Sequence, residues 1–166
     1  MLNVVYEDNH IIVVEKPFNM PTQEDESKDR DLLTEVKDYV KVKYDKPGDV
    51  YIGLVHRLDR VAGGLMVFAR TSKAASRLSE QIRNREFHKE YVTVVEGQIR
   101  SEKSQLVDYL KKDKDTNTVQ VVNKNVKDAK EAILKYEMIE SKDNLTLLSV
   151  DLLTGRPHQI RVQFSS

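Results

Sequence analysis

The sequence contains no cysteine, which excludes disulfides and thiolate chemistry. It has no apolar run approaching the length that crosses a bilayer, so no membrane span is expected. Met1 to Asp8 holds neither a basic region nor an apolar stretch ending in small residues, and nothing there marks a secretory leader. The expected compartment is the cytoplasm. Neither sign of charge is in excess, with Lys+Arg and Asp+Glu at 27 each; spread evenly, that balance would argue against a polyanionic partner.

The charge is not spread evenly. Residues 24 to 38 carry seven acids (Glu24, Asp25, Glu26, Asp29, Asp31, Glu35, Asp38) against Lys28, Arg30 and Lys37, a local charge of minus four. Residues 56 to 100 carry nine bases (Arg57, Arg60, Arg70, Lys73, Arg77, Arg83, Arg85, Lys89, Arg100) against five acids, a local charge of plus four. A stretch of that kind can neutralise several phosphates, although a solvated helix face has the same composition. With 166 residues, 39% of them hydrophobic and 33% charged, the chain is expected to form one soluble domain over 1–166.

Two β-branched runs, Val4-Val5-Tyr6 and Ile11-Ile12-Val13-Val14, flank the polar Glu7-Asp8-Asn9-His10 and predict an opening hairpin. Pro17 and Pro21 begin an exposed loop that runs through Asp31. From Leu32, apolar residues recur at three- and four-residue spacing and predict an amphipathic helix. After Pro47-Gly48-Asp49, residues 50 to 55 are extended in character, and Gly63-Gly64 turns into the apolar Leu65 to Ala69. Thr71 or Ser72 can cap a second helix ending near Asn84, with Ala75, Leu78 and Ile82 on one face. Strands are expected at Lys89 to Gly97, around Val107-Tyr109 and Val119-Val122 on either side of a turn at Lys111 to Asn117, at Ala129 to Glu140, and at Leu145 to Leu153. Helices are few and do not alternate regularly with strands, so the class is α+β, a mixed, mainly antiparallel sheet with a few flanking helices.

In His56-Arg57-Leu58-Asp59-Arg60-Val61-Ala62-Gly63-Gly64-Leu65, Asp59 lies between a strand and a glycine turn with arginines close in sequence. Loops at sheet edges display reactive groups, and a neighbouring cation favours the ionised form that a nucleophilic carboxylate needs. An Asp–Arg pair that merely fixes a loop has the same local sequence. His56 and Asp59 stand three apart, but no second cluster of ligating residues completes a metal site, so no metal is expected.

The joint pattern goes further than any one segment. HRLD with its glycine turn and LMVFART, then FHKEYVTVVEG, then LLTGRPHQIRV resembles, in order and spacing, the RluA-type family of pseudouridine synthases. The likeness runs from VVYEDNHIIVVEKPFNMP to the last few residues. It implies the catalytic fold of that family and an isomerase that converts uridine in structured RNA to pseudouridine without a cofactor, on ribosomal RNA first and transfer RNA next. DNA is not an expected partner, and the oligomeric state is left open. On the same resemblance, Asp59 is the catalytic aspartate that bonds to the target nucleotide, at ribose C1′ or at base C6. Tyr91 is the candidate for stacking on the flipped base and handling its proton, and Arg161 the arginine expected to pair with the aspartate.

A uridine inside a duplex must be extruded to be reached, at an unstacking cost of roughly a few kcal/mol. Arg57, Arg60, Arg77, Arg83, Arg85 and Lys89 are the candidate RNA contacts, Arg57 also as a side chain that fills the space left by the flipped nucleotide. His56, His158 and Gln159 are expected to order loops around the catalytic groups.

The chain departs from the family in two places. Val61-Ala62-Gly63 stands where many members have a residue followed by Thr-Ser or similar, and the chain stops at Gln163-Phe164-Ser165-Ser166 where members continue. The expectation is a catalytic domain lacking its C-terminal part, with no S4-type domain before it. A second reading, a catalytically silent RNA-binding remnant of the same family, differs from the first in a single measurable property, turnover that depends on Asp59.

Overall fold

A computed structural model describes residues 2–113 and 115–166. Lys114, within the turn expected at Lys111 to Asn117, lies outside the described residues. The chain divides into two compact units, Met1–Asn84 and Arg85–Ser166. The class is α+β as expected, and every strand pairing among the described residues is antiparallel.

The first unit holds a four-stranded sheet of order β1-β2-β4-β3, made of β1 (Asn3–Glu7), β2 (Ile11–Lys16), β3 (Gly53–Leu54) and β4 (Gly64–Ala69). The hairpin between β1 and β2 closes at Asp8, whose Oδ1 accepts from the backbone N–H groups of His10 at 2.7 Å and Ile11 at 2.8 Å. Residues of β2 alternate, with Ile12, Val14 and Lys16 buried. On β4, Met66 to Ala69 are all buried. Only Gly53 and Leu54 of the extended 50–55 segment form ladder bonds, to Ala69 and Phe68.

Helix α1 (Leu32–Lys43) buries Leu32, Val36 and Val40, one per turn. Fully burying each such side chain is worth about 1.5–3 kcal/mol. Its first turn is closed by Asp31, which accepts from Thr34 N, and by the carbonyls of Pro21 and Thr22, which accept from Leu32 N and Leu33 N. These bonds satisfy amides that a helix N-terminus otherwise leaves open. Thr71 caps α2 (Ser72–Arg83) by accepting from Ala74 N at 3.1 Å, and the helix ends at Asn84 as the sequence predicts. This helix packs on β3 and β4.

The second unit is a five-stranded sheet of order β5-β9-β8-β6-β7: β5 (Glu90–Glu96), β6 (Lys103–Lys112), β7 (Val119–Val121), β8 (Lys130–Lys142) and β9 (Leu145–Leu152). The β8–β9 turn is Asp143-Asn144, both residues left-handed at φ 50 and 61. Aspartate and asparagine tolerate that region better than other side chains, and two such residues match the twist of a tight hairpin. One face of the sheet carries Leu134, Tyr136, Leu148, Val150 and Leu152, with Tyr91, Val95, Leu106 and Met138 packed beside them. The five-residue α3 (Gln159–Gln163) lies on that face, where Ile160 and Phe164 join the same cluster.

Candidate active site

Asp59 is half-buried on a loop of the first unit whose carbonyls are fastened on both sides. Buried Thr22 donates its hydroxyl to Leu58 O at 2.8 Å. Lys16, 0% exposed at the end of β2, donates from Nζ to Arg60 O at 3.1 Å, and also to Pro17 O at 3.0 Å and Met20 O at 2.6 Å. Ala62 N closes a turn on Asp59 O at 3.0 Å. His56 accepts at Nε2 from Val67 N at 3.1 Å, which ties the start of the loop to β4. The backbone that carries Asp59 is thus held at several points, which leaves the loop little conformational freedom.

The electrostatics centre on Lys16. Burial pulls its ammonium below the usual lysine range; the negative charge of Asp59 acts in the opposite sense, and the positive charge of Arg60 in the same sense as burial. One cation that feels the charge of Asp59 is therefore a lysine that motif reading passed over. Its signal was its phase: Lys16 continues the inward alternation of Ile12 and Val14. Arg60, adjacent in sequence, turns to the acidic loop, where its guanidinium bonds Asp29 and donates to Ser27 Oγ at 2.9 Å, with Asp25 at 3.9 Å.

In the second unit, Tyr91 is half-buried on β5 opposite Val150 of β9, which in turn faces Tyr136 of β8. Phe164 meets Tyr136 edge-on, with ring centroids 5.5 Å apart. Tyr91 and α3 thus share one apolar face. Within α3 the buried positions are polar: Gln159 and Gln163, one turn apart, face the sheet while Arg161 is exposed and donates to Nδ1 of His158. His158 is left-handed at φ 53 at the start of the helix.

The two glutamines belong to a chain of hydrogen bonds. Thr154 Oγ1 accepts from Ile133 N at 2.8 Å and donates to Gln159 Oε1 at 2.8 Å, where Arg156 N also donates at 3.0 Å. Gln159 Nε2 donates to Gln163 Oε1 at 2.9 Å, and Gln163 Nε2 to Asp108 Oδ2 at 2.7 Å. Buried polar atoms cost stability unless they are paired, and here each amide answers the next. The helix that carries Arg161 is held on the sheet by this relay. Of its members the sequence reading named Gln159 and missed Thr154, Gln163 and Asp108; the spacing of four between the glutamines was the available signal.

The candidate RNA contacts fall into two groups. Arg57, Arg77 and Arg83 are exposed in the first unit. Arg60 is engaged by Asp29, Arg85 lies 3.7 Å from Glu131, and Lys89 is half-buried, lowered by burial with Asp151 opposing. Among the described residues no group of three or more His, Cys, Asp or Glu could hold a metal ion, and no helix is long and apolar enough to cross a membrane.

The family model for "RNA pseudouridylate synthase" matches residues 10–166. A protein of Aquifex aeolicus named "Uncharacterized RNA pseudouridine synthase" is 34% identical over 99% of this chain and 52% of its own length. "Ribosomal large subunit pseudouridine synthase D" of Xanthomonas campestris is 31% identical over 99% of this chain and 48% of its own. The chain spans about half the length of the curated relatives it matches. The solved structure "Human RNA Pseudouridylate Synthase Domain Containing 4" superposes with a TM-score of 0.81 at 20% identity, covering 98% of this chain and 63% of that one.

Proposed function

The chain belongs to the RNA pseudouridylate synthase family, and from that premise we propose that it isomerises uridine to pseudouridine in structured RNA with Asp59 as nucleophile. The observation that carries the reading is the loop of Asp59, whose flanking carbonyls are held by Lys16 and Thr22 with a buried ammonium coupled to its charge. In the reaction the N1–C1′ bond breaks and a C5–C1′ bond forms; C5 gives up its proton and N1 takes one. No external reactant is consumed, and no cofactor is needed. Asp59 bonds to the nucleotide, Tyr91 stacks on the uracil while it is detached and handles its proton, and Arg161 supplies positive charge to the anionic groups involved. The name of the Xanthomonas relative supports ribosomal RNA as the first substrate to test, with transfer RNA next.

The test is release of tritium from RNA labelled at uridine C5. Wild type should release it, and Asp59→Asn should not, while both give the same thermal unfolding curve. A folded Asp59→Asn variant with undiminished release, or a wild type with none, overturns the reading.

A further inference from the structure

Phe18 is 74% exposed. Exposure of one apolar residue is common and by itself means little. The setting of Phe18 adds to this, because the backbone that carries the ring is held on both sides. The Lys16 ammonium grips Pro17 O before it and Met20 O after it, and Asn19 between them is left-handed at φ 61. One side of the ring lies on Gly63, where a Cβ would stand only 3.1–3.2 Å from Cε2, Cζ and Cδ2. A glycine at 63 gives the ring its place, and this is one of the positions where the chain departs from the hydroxyl residues of the family it resembles. The rest of the ring faces solvent, and exposed Val61 lies on the turn that follows Asp59. The same lysine that holds the ring's loop holds Arg60 O, so the aromatic and the carboxylate loop are parts of one rigid rim.

A preordered aromatic face open to water, at the rim of a site for RNA, is what an unpaired base stacks on. We propose that Phe18 is a stacking platform for an unpaired RNA base flanking the target uridine. This rests on the reading that the chain acts on RNA. Stacking uses the π-face that every base has, so the contact is indifferent to base identity and requires only that the base be unpaired.

The chain has no tryptophan, so Phe18→Trp installs a single fluorescent reporter at the proposed contact. Titrated with an RNA hairpin carrying a uridine loop, its emission should be quenched, whereas Tyr51→Trp, at a position 53% exposed in the same unit, should report no change. Replacing the loop nucleotides on both sides of one uridine with abasic sites should remove the quench. Phe18→Ala should weaken hairpin binding by about tenfold, the size expected for loss of one base–aromatic stack, and Phe18→Tyr should restore it. Unquenched Phe18→Trp at saturating RNA, unchanged affinity of Phe18→Ala, or a wild type that does not bind the hairpin each overturns the proposal. Tritium release separates the two claims. Release by wild type without quenching in Phe18→Trp removes the stack and leaves the isomerase; quenching without release does the reverse.

Discussion

The Nζ of Lys16 holds three carbonyl oxygens drawn from two loops. Methionine at that position has similar length and no donor, so Lys16→Met leaves those acceptors without their charged partner. The loss should be about 2–4 kcal/mol, read from the urea midpoint, with faster amide exchange across residues 57–62. Glycines in the same loop make a contrasting pair. Gly64 is at φ +137, where any L side chain is strained although the nearest obstacle, Leu58 Cδ1, is 3.9 Å away. Gly64→Ala should cost about 1–3 kcal/mol. Gly63 has no such φ, and the atoms nearest its added Cβ belong to the Phe18 ring, an exposed group that can give by the few tenths of an ångström required. Gly63→Ala should therefore fall within about 0.5 kcal/mol of wild type in the same measurement while displacing Phe18. That Lys16 faces inward was implied by the alternation of its strand; what it holds was not, because its acceptors are backbone atoms of residues up to 44 positions away.

Elements with a strong local period were the legible ones. The opening hairpin, both long helices and the cap at Thr71 stand where the sequence puts them. Two were not legible. The segment 50–55 contributes only a two-residue strand, since its character is set by pairing with β4 more than by its own residues. Helix α3 is five residues long and its buried residues are glutamines, and apolar periodicity cannot register a helix so short whose most buried positions are polar. That face gives a prediction. Gln163→Leu strands Asp108 Oδ2 and the Gln159 amide and should cost about 1–3 kcal/mol. Gln163→Glu sets a second carboxylate against Asp108, and two like charges that close repel unless one is protonated. Its penalty should exceed that of leucine at neutral pH and shrink on acidification, as urea unfolding at two pH values would reveal. The hairpin behaves oppositely. Ile11 N–H and His10 N–H hold the Asp8 carboxyl below its ordinary value, so its contribution is present above about pH 4 and is lost as pH falls through the folded value. Exchange protection at Ile11 should drop in acid for wild type and stay level for Asp8→Asn.

At the scale of the molecule, the equal totals of acid and base conceal a partition that the structure makes specific. Part of the charge of the basic stretch is already answered within the chain: Arg60 is bound by the acidic loop through Asp29 and Asp25, Arg85 lies near Glu131, and Lys89 is half-buried with the charge of Asp151 acting on it. Arg57, Arg77 and Arg83 are exposed and stand in no ion pair among the described residues. Each phosphate neutralised on a single strand contributes about 0.7 to the slope of log affinity against log salt. The six candidates acting together would contribute about 4, and the three arginines outside ion pairs about 2. Arg77→Ala and Arg83→Ala should each flatten the slope by about 0.7 in hairpin titrations at several salt concentrations. Arg60→Ala should leave it unchanged, because that guanidinium answers carboxylates of its own chain before any RNA arrives. A slope that falls equally for Arg60→Ala would mean that the acidic loop releases its arginine on binding, and the partition of charge in the folded chain would then not be the one that meets the RNA.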